Sequence, residues 1–197
     1  MKKILVLILL VIIAPLFFIL VSNYNNIPKL DENVKEKWSQ VQNQYKRRAD
    51  LIPNLVETVK AYASHEKNTF IEVTEARSKV SQMNINENTL NNPEMMQQFS
   101  AAQSGLSSAL SKLMVVVEKY PELKANQNFM ALQSQLEGTE NRITIARKDF
   151  IEAVKLYNLE LRTMPGKLVA AIAHPEAQIK ETFSASEAEQ EAPKVKF

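Results

Sequence analysis

Between Phe129 and Tyr157 the sequence places Phe129, Leu132, Leu136, Thr139, Ile143, Ala146, Phe150, Ala153 and Tyr157 in strictly alternating steps of three and four. That spacing keeps one narrow face of an α-helix largely apolar over about eight turns. One short neighbour cannot cover a seam of this length, so the rest of the chain has to supply partner helices. A sheet does not compete for it. Three glycines in 197 residues leave few sites for the positive-φ turns of hairpins, while Leu, Ala, Glu, Lys and Gln are abundant.

The partners are legible as further amphipathic segments. Val34, Trp38, Val41, Tyr45, Ala49 and Ile52 form a first stripe, and Ile52, Leu55, Val59, Tyr62, Glu66, Phe70, Val73, Ala76, Val80 and Met83 form a second. Asp50 is a good N-cap, and Pro53 would then sit in the first turn, where its missing N–H has no partner to lose, so a break is expected near Ala49. The other option is one helix kinked at Pro53, at a cost of about 3 kcal/mol unless packing compensates. After the polar run NINENTLNNP, Pro93 opens a third helix carrying Phe99, Ala102, Leu106, Ala109, Leu113, Val116 and Tyr120, and Pro121 ends it. The fourth runs from about Glu122 to Thr163. These segments predict an all-α fold, an antiparallel four-helix bundle behind an N-terminal transmembrane helix. The expected divisions are an anchor at 1–22, a connector at 23–29, the bundle at 30–164, and a short helical segment with a flexible tail at 165–197.

The anchor is read from Ile4 to Val21, 18 uncharged residues that make about 27 Å of helix. Pro15 leaves a removed export signal as the competing reading, which would make the protein a secreted soluble bundle. The following SNYNNIPK offers no small-x-small cleavage site, which favours the anchor. Lys2 and Lys3 stand before the span and Lys29 and Lys35 follow it, so charge counting gives only a narrow preference for a cytoplasmic N-terminus and an external bundle.

Composition also bounds the chemistry. No cysteine is present, which excludes disulfides, a thiol nucleophile and Cys-rich zinc sites. Beyond the apolar run the charges balance, which argues against a nucleic-acid partner. Lys46, Arg47 and Arg48 suit the C-terminus of a helix, where cations offset its dipole. Alternatively, Arg47 or Arg48 turns inward to a carboxylate such as Asp50 or Glu66, or meets lipid headgroups or a partner. His65-Glu66 invites a metal-dependent hydrolase, but a zincin needs a second His at position 69, which is Thr. A structural His65, hydrogen-bonded within the bundle beside a Glu66 paired to a cation, fits better. Polar residues within the stripes, Asn54, Thr139, Asn141 and Arg142 among them, are expected to satisfy one another. No Glu-x-x-His motif, nucleophile-base pair or glycine-rich phosphate loop is found, so no catalytic residue, metal or cofactor is expected.

The stretch RRADLIPNLVETVKAYASHE from Arg47, with Tyr24-Asn25, Trp38, Glu75-Ala76-Arg77, ENRITIARKDFIEAVKLYN from Glu140 and the closing PKVKF, resembles the LemA family along nearly the whole chain. The resemblance implies a helical bundle held at a bacterial membrane, with no established catalytic residues, and a branch linked to forming magnetosomes implies membrane organisation. It also implies an outside N-terminus, opposite to the charge count, so orientation stays open. The resulting expectation is a non-enzymatic, membrane-anchored scaffold that binds a protein partner or organises the membrane, with homo-oligomerisation possible. Arg47, Arg48, Asp50, Asn54, His65 and Glu66 are its candidate interaction or network residues.

Overall fold

One helix, α1, runs unbroken from Lys2 to Lys60. The structure is a computed structural model describing residues 2–83 and 85–183, with the side chains of most of residues 2–20 outside that description. At about 1.5 Å per residue, α1 is on the order of 90 Å long. Neither Pro28 nor Pro53 ends it, so the expected connector at 23–29 and the break near Ala49 are both replaced by helix.

The reason lies at two carbonyls. A proline at position i removes the N–H that would bond the carbonyl of residue i−4. For Pro53 that carbonyl belongs to Ala49, and Arg77 Nε donates to it at 2.9 Å. For Pro28 it belongs to Tyr24, whose oxygen lies 3.1 Å from His174 Nε2. A carbonyl only accepts, so the imidazole donates from Nε2. An interior proline costs about 3 kcal/mol, and at Pro53 the hydrogen bond from the charged Arg77 recovers about 1.5–3 kcal/mol of it. Side chains from distant elements thus keep α1 continuous.

The chain turns later, at Ala61–Glu66, into α2 (Lys67–Ser81). A 3-10 turn (Glu87–Asn91) leads to α3 (Pro93–Val117), a single turn α4 (Pro121–Lys124), α5 (Gln127–Arg162) and α6 (Gly166–Ala173). The polar run supplies caps: Asn86 accepts from Asn88 N–H, and Asn92 accepts from Met95 N–H at 3.1 Å with Pro93 beside it in the first turn. Asn126 caps α5 from Phe129 N–H in the same way. At the α5–α6 corner, a Cβ on Gly166 would run into the Glu160 carbonyl oxygen, so only glycine fits.

α1 packs antiparallel along α5, α2 packs on α3, and α6 folds back onto α1 and α5. Two apolar clusters result. The distal one, far from Lys2, joins Ile52, Leu55 and Val59 of α1 to Val73, Leu106, Leu113 and Phe129, so four helices surround it. In the proximal one, Trp38 and Tyr45 meet Phe99, Phe150 and Tyr157, and the place of α2 is taken by Leu90, α6 and the segment ending at Phe183. Trp38 lies 5.4 Å from Phe99 and 5.1 Å from Phe150 between ring centroids.

The segment read as an unfolded tail begins inside this core. Phe183 is buried against Trp38, Phe99 and Phe150. Asn158 brackets the backbone of Lys180 with bonds of 2.8 and 2.9 Å, and Glu181 N–H donates to the Leu90 carbonyl at 2.7 Å. Lys180 Nζ reaches Asp31 at 2.8 Å. Glu187, Glu189, Glu191 and the closing PKVKF lie outside the described residues.

Among the described residues no helix is long and apolar enough to cross a membrane. The expected span at 4–21 falls within α1, but only its Val11, Phe18 and Val21 side chains are among those described, and all three are exposed.

Candidate functional site

The two apolar clusters meet at a polar layer built around Arg48. Its side chain is 2% exposed, because the stripe that buries Tyr45, Ala49 and Ile52 carries position 48 to the inner face as well. Arg48 Nη1 donates to Glu140 Oε1 of α5 at 2.9 Å and to Ser107 Oγ of α3 at 3.0 Å. Nη2 donates to the side-chain and main-chain oxygens of Gln103. The guanidinium also stands 5.1 Å from the Tyr45 ring centroid. Three helices are thereby tied at one height.

A charge removed from water needs this many partners, since deleting one member of a buried pair commonly costs about 3–5 kcal/mol. Two donors of the layer, Arg48 Nε and Gln103 Nε2, are nevertheless buried without a partner among the described residues. Burial pushes the pKa of the Tyr45 hydroxyl up, against the opposing pull of Arg147 and Arg48.

At the layer, α3 and α5 leave between them a groove of about 350 Å³ with Arg48 in its lining. Ser100, Ser104, Ser107 and Ser108 line one wall, and Glu140, Thr144 and Arg147 line the other. Arg147 lies over the Phe183 ring at 4.4 Å, which links the groove to the docked C-terminal segment. This is a surface of hydroxyls, one carboxylate and guanidiniums, suited to hydrogen-bonding a polar chain.

The sequence candidates are scattered by the fold. Arg48 alone enters the layer, and its carboxylate is Glu140, not Asp50 or Glu66. Arg47 and Asp50 are exposed inside α1, about three turns before its end, so Asp50 caps nothing and the basic triplet does not finish a helix. Asn54 is exposed, its carbonyl accepting from Thr58 Oγ1. His65 is exposed at the α1–α2 corner and so is not a structural histidine of the bundle interior, while Glu66 lies 3.8 Å from Lys119. No group of three or more His, Cys, Asp or Glu residues that could hold a metal ion is present among the described residues.

Sequence reasoning missed Glu140, Gln103, Ser107, Arg77 and His174. For the last two a signal existed, because Pro28 and Pro53 each announce an orphaned carbonyl four residues back if the helix continues. For Glu140 there was none, as it stands 92 residues from Arg48.

A family model described as the LemA family matches residues 37–197. Magnetosome protein MamQ 2 of Paramagnetospirillum magneticum is 25% identical, with 78% of this chain and 62% of that protein covered. Magnetosome protein MamQ of Magnetospirillum gryphiswaldense is 24% identical, with 78% and 62% covered. Protein LemA of Metamycoplasma hominis is 21% identical, with 78% and 66% covered. The chain thus spans about three-fifths of the length of the MamQ proteins it matches.

Proposed function

The chain belongs to the LemA family, and from that premise we propose that it is a non-catalytic, membrane-tethered scaffold whose bundle presents the groove between α3 and α5 to a protein partner. The observation that carries this reading is the continuity of α1. The apolar run 4–21 and the spine of the proximal core belong to one helix. Counted on the full sequence, the run 4–21 is 18 uncharged residues, about 27 Å of helix, and its described side chains Val11, Phe18 and Val21 are exposed. The magnetosome names of the MamQ relatives agree with a role beside a membrane.

Fractionation tests the tether. The full chain is expected to stay with membranes in high salt, and the chain lacking 4–21 to leave them. Retention of the deleted chain would sink the tether, and a mature N-terminus found between Val21 and Tyr24 by mass spectrometry would replace it with secretion. For the partner, a photo-crosslinker at exposed Ser104 or Thr144 is expected to trap a discrete adduct that the same group at exposed Ile71 does not.

A further inference from the structure

The bundle's proximal end carries apolar side chains that no other described residue covers. Met164 is 71% exposed and Ile172 75%, and Leu159 and Leu168 are about half exposed. On α6, Val169 and Gly166 face inward, so Leu168 and Ile172, one turn apart, share the outward face.

Register fixes where this face lies. The antiparallel pairing that sets Arg48 against Glu140 and Trp38 against Phe150 brings Met164 level with Tyr24. His174, two residues beyond Ile172, bonds the Tyr24 carbonyl and packs at a tilt against the Tyr24 ring, centroids 4.8 Å apart. Tyr24 is three residues past Val21, where the apolar run ends, which is about 4.5 Å along the helix. Exposed Lys29, Arg162 and Lys167 belong to the same end, against exposed Glu32 and Glu176. Apolar side chains bordered by cations, within one helical turn of an apolar run, are the composition of a surface that sits in the headgroup region of a bilayer.

We propose that α6, with Met164 before it, is an interfacial foot: its Leu168–Ile172 face lies in the lipid headgroup–acyl boundary and sets the bundle upright on the membrane. The idea rests on the tether reading, since it takes the bilayer to begin near Val21. The occupant is lipid and not a second copy or a protein partner. The His174–Tyr24 bond is then the joint that holds the foot at the height where α1 leaves the membrane.

The absence of cysteine makes the test clean, because each introduced cysteine is unique. Spin labels are placed singly at V11C, L168C, I172C and V115C in the full chain reconstituted into vesicles containing anionic lipid. Val115 is the matched control, 64% exposed but near the distal corner where Lys119 meets Glu66. Accessibility to oxygen, which concentrates in lipid, is compared with that to a water-soluble nickel chelate. The proposal expects labels at 168 and 172 to be oxygen-rich and nickel-poor, several-fold away from the label at 115 and toward the label at 11. If 11 reports lipid while 168 and 172 match 115, the foot is overturned and the tether stands. If 11 also matches 115, the tether falls and the foot with it. Protection of 168 and 172 that persists in detergent micelles and rises with protein concentration would assign the face to a second copy instead. Two label sites and a circular dichroism spectrum for each variant guard against one misfolded protein deciding the matter.

Discussion

At the scale of single residues, the protein is held in shape by side chains that repair what the backbone lacks. Arg77 and His174 bond the carbonyls that Pro53 and Pro28 leave open, and Arg48 closes a polar layer that ties three helices in one register. The first case is testable as a cycle, because the proline is the cause of the need. Arg77→Met is expected to destabilise the fold by about 1.5–3 kcal/mol, the usual worth of a hydrogen bond from a charged group. In a Pro53→Ala background the Ala49 carbonyl regains its own helical N–H, so the same substitution should cost clearly less. Urea unfolding of the four proteins measures the coupling; additive costs would show that Arg77 acts through packing alone. The need for a donor at Ala49 could be read from Pro53, but its supplier could not, because Arg77 is 28 residues away.

Elements behave as the residues allow. α1 is the spine: with Pro28 and Pro53 repaired, its length fixes the distance between the two ends of the bundle. Spin labels at N25C and K60C, 35 residues apart on one helix, are expected to stand about 50 Å apart at 1.5 Å per residue, in a narrow distribution read by pulsed dipolar spectroscopy. A separate helix beginning at Asp50 would give a much shorter distance. The seam at 129–157 was legible in full as one face of α5, and Pro93 marked the start of α3 correctly, since periodicity and a first-turn proline are local signals. The joint between the first two stripes was misplaced from Ala61–Glu66 to Ala49. Local rules favour a break at Asp50–Pro53, and only a distant guanidinium outweighs them.

For the whole molecule, the proximal end is tied by charges that titrate. Burial alone would raise the Asp31 carboxyl, but its bonds from Lys180 and Lys35 outweigh it and hold the pKa below its ordinary value. Bonds to Asp31 and Glu32 raise Lys35, and burial pushes the Tyr157 hydroxyl up to about 12. The lowered Asp31 contributes stability that is complete above the ordinary carboxylate range and lost as pH falls through its folded value. The raised Lys35 and Tyr157 contribute below about pH 10 and lose their share as pH rises toward their folded values. Melting temperature against pH should therefore show a plateau between the two limbs. Asp31→Asn should flatten the acid limb and Tyr157→Phe the alkaline one between pH 10 and about 12; an alkaline limb unchanged by Tyr157→Phe would assign it elsewhere. What the sequence determined by itself was the all-helical class, the seam and most core positions, because periodicity and composition act over one or two turns. What only the tertiary structure decided was where α1 ends, which carboxylate Arg48 meets, that Phe183 completes the proximal core, and that α6 returns to the base of the bundle. Each of these rests on partners tens of residues apart, and no local free energy encodes them.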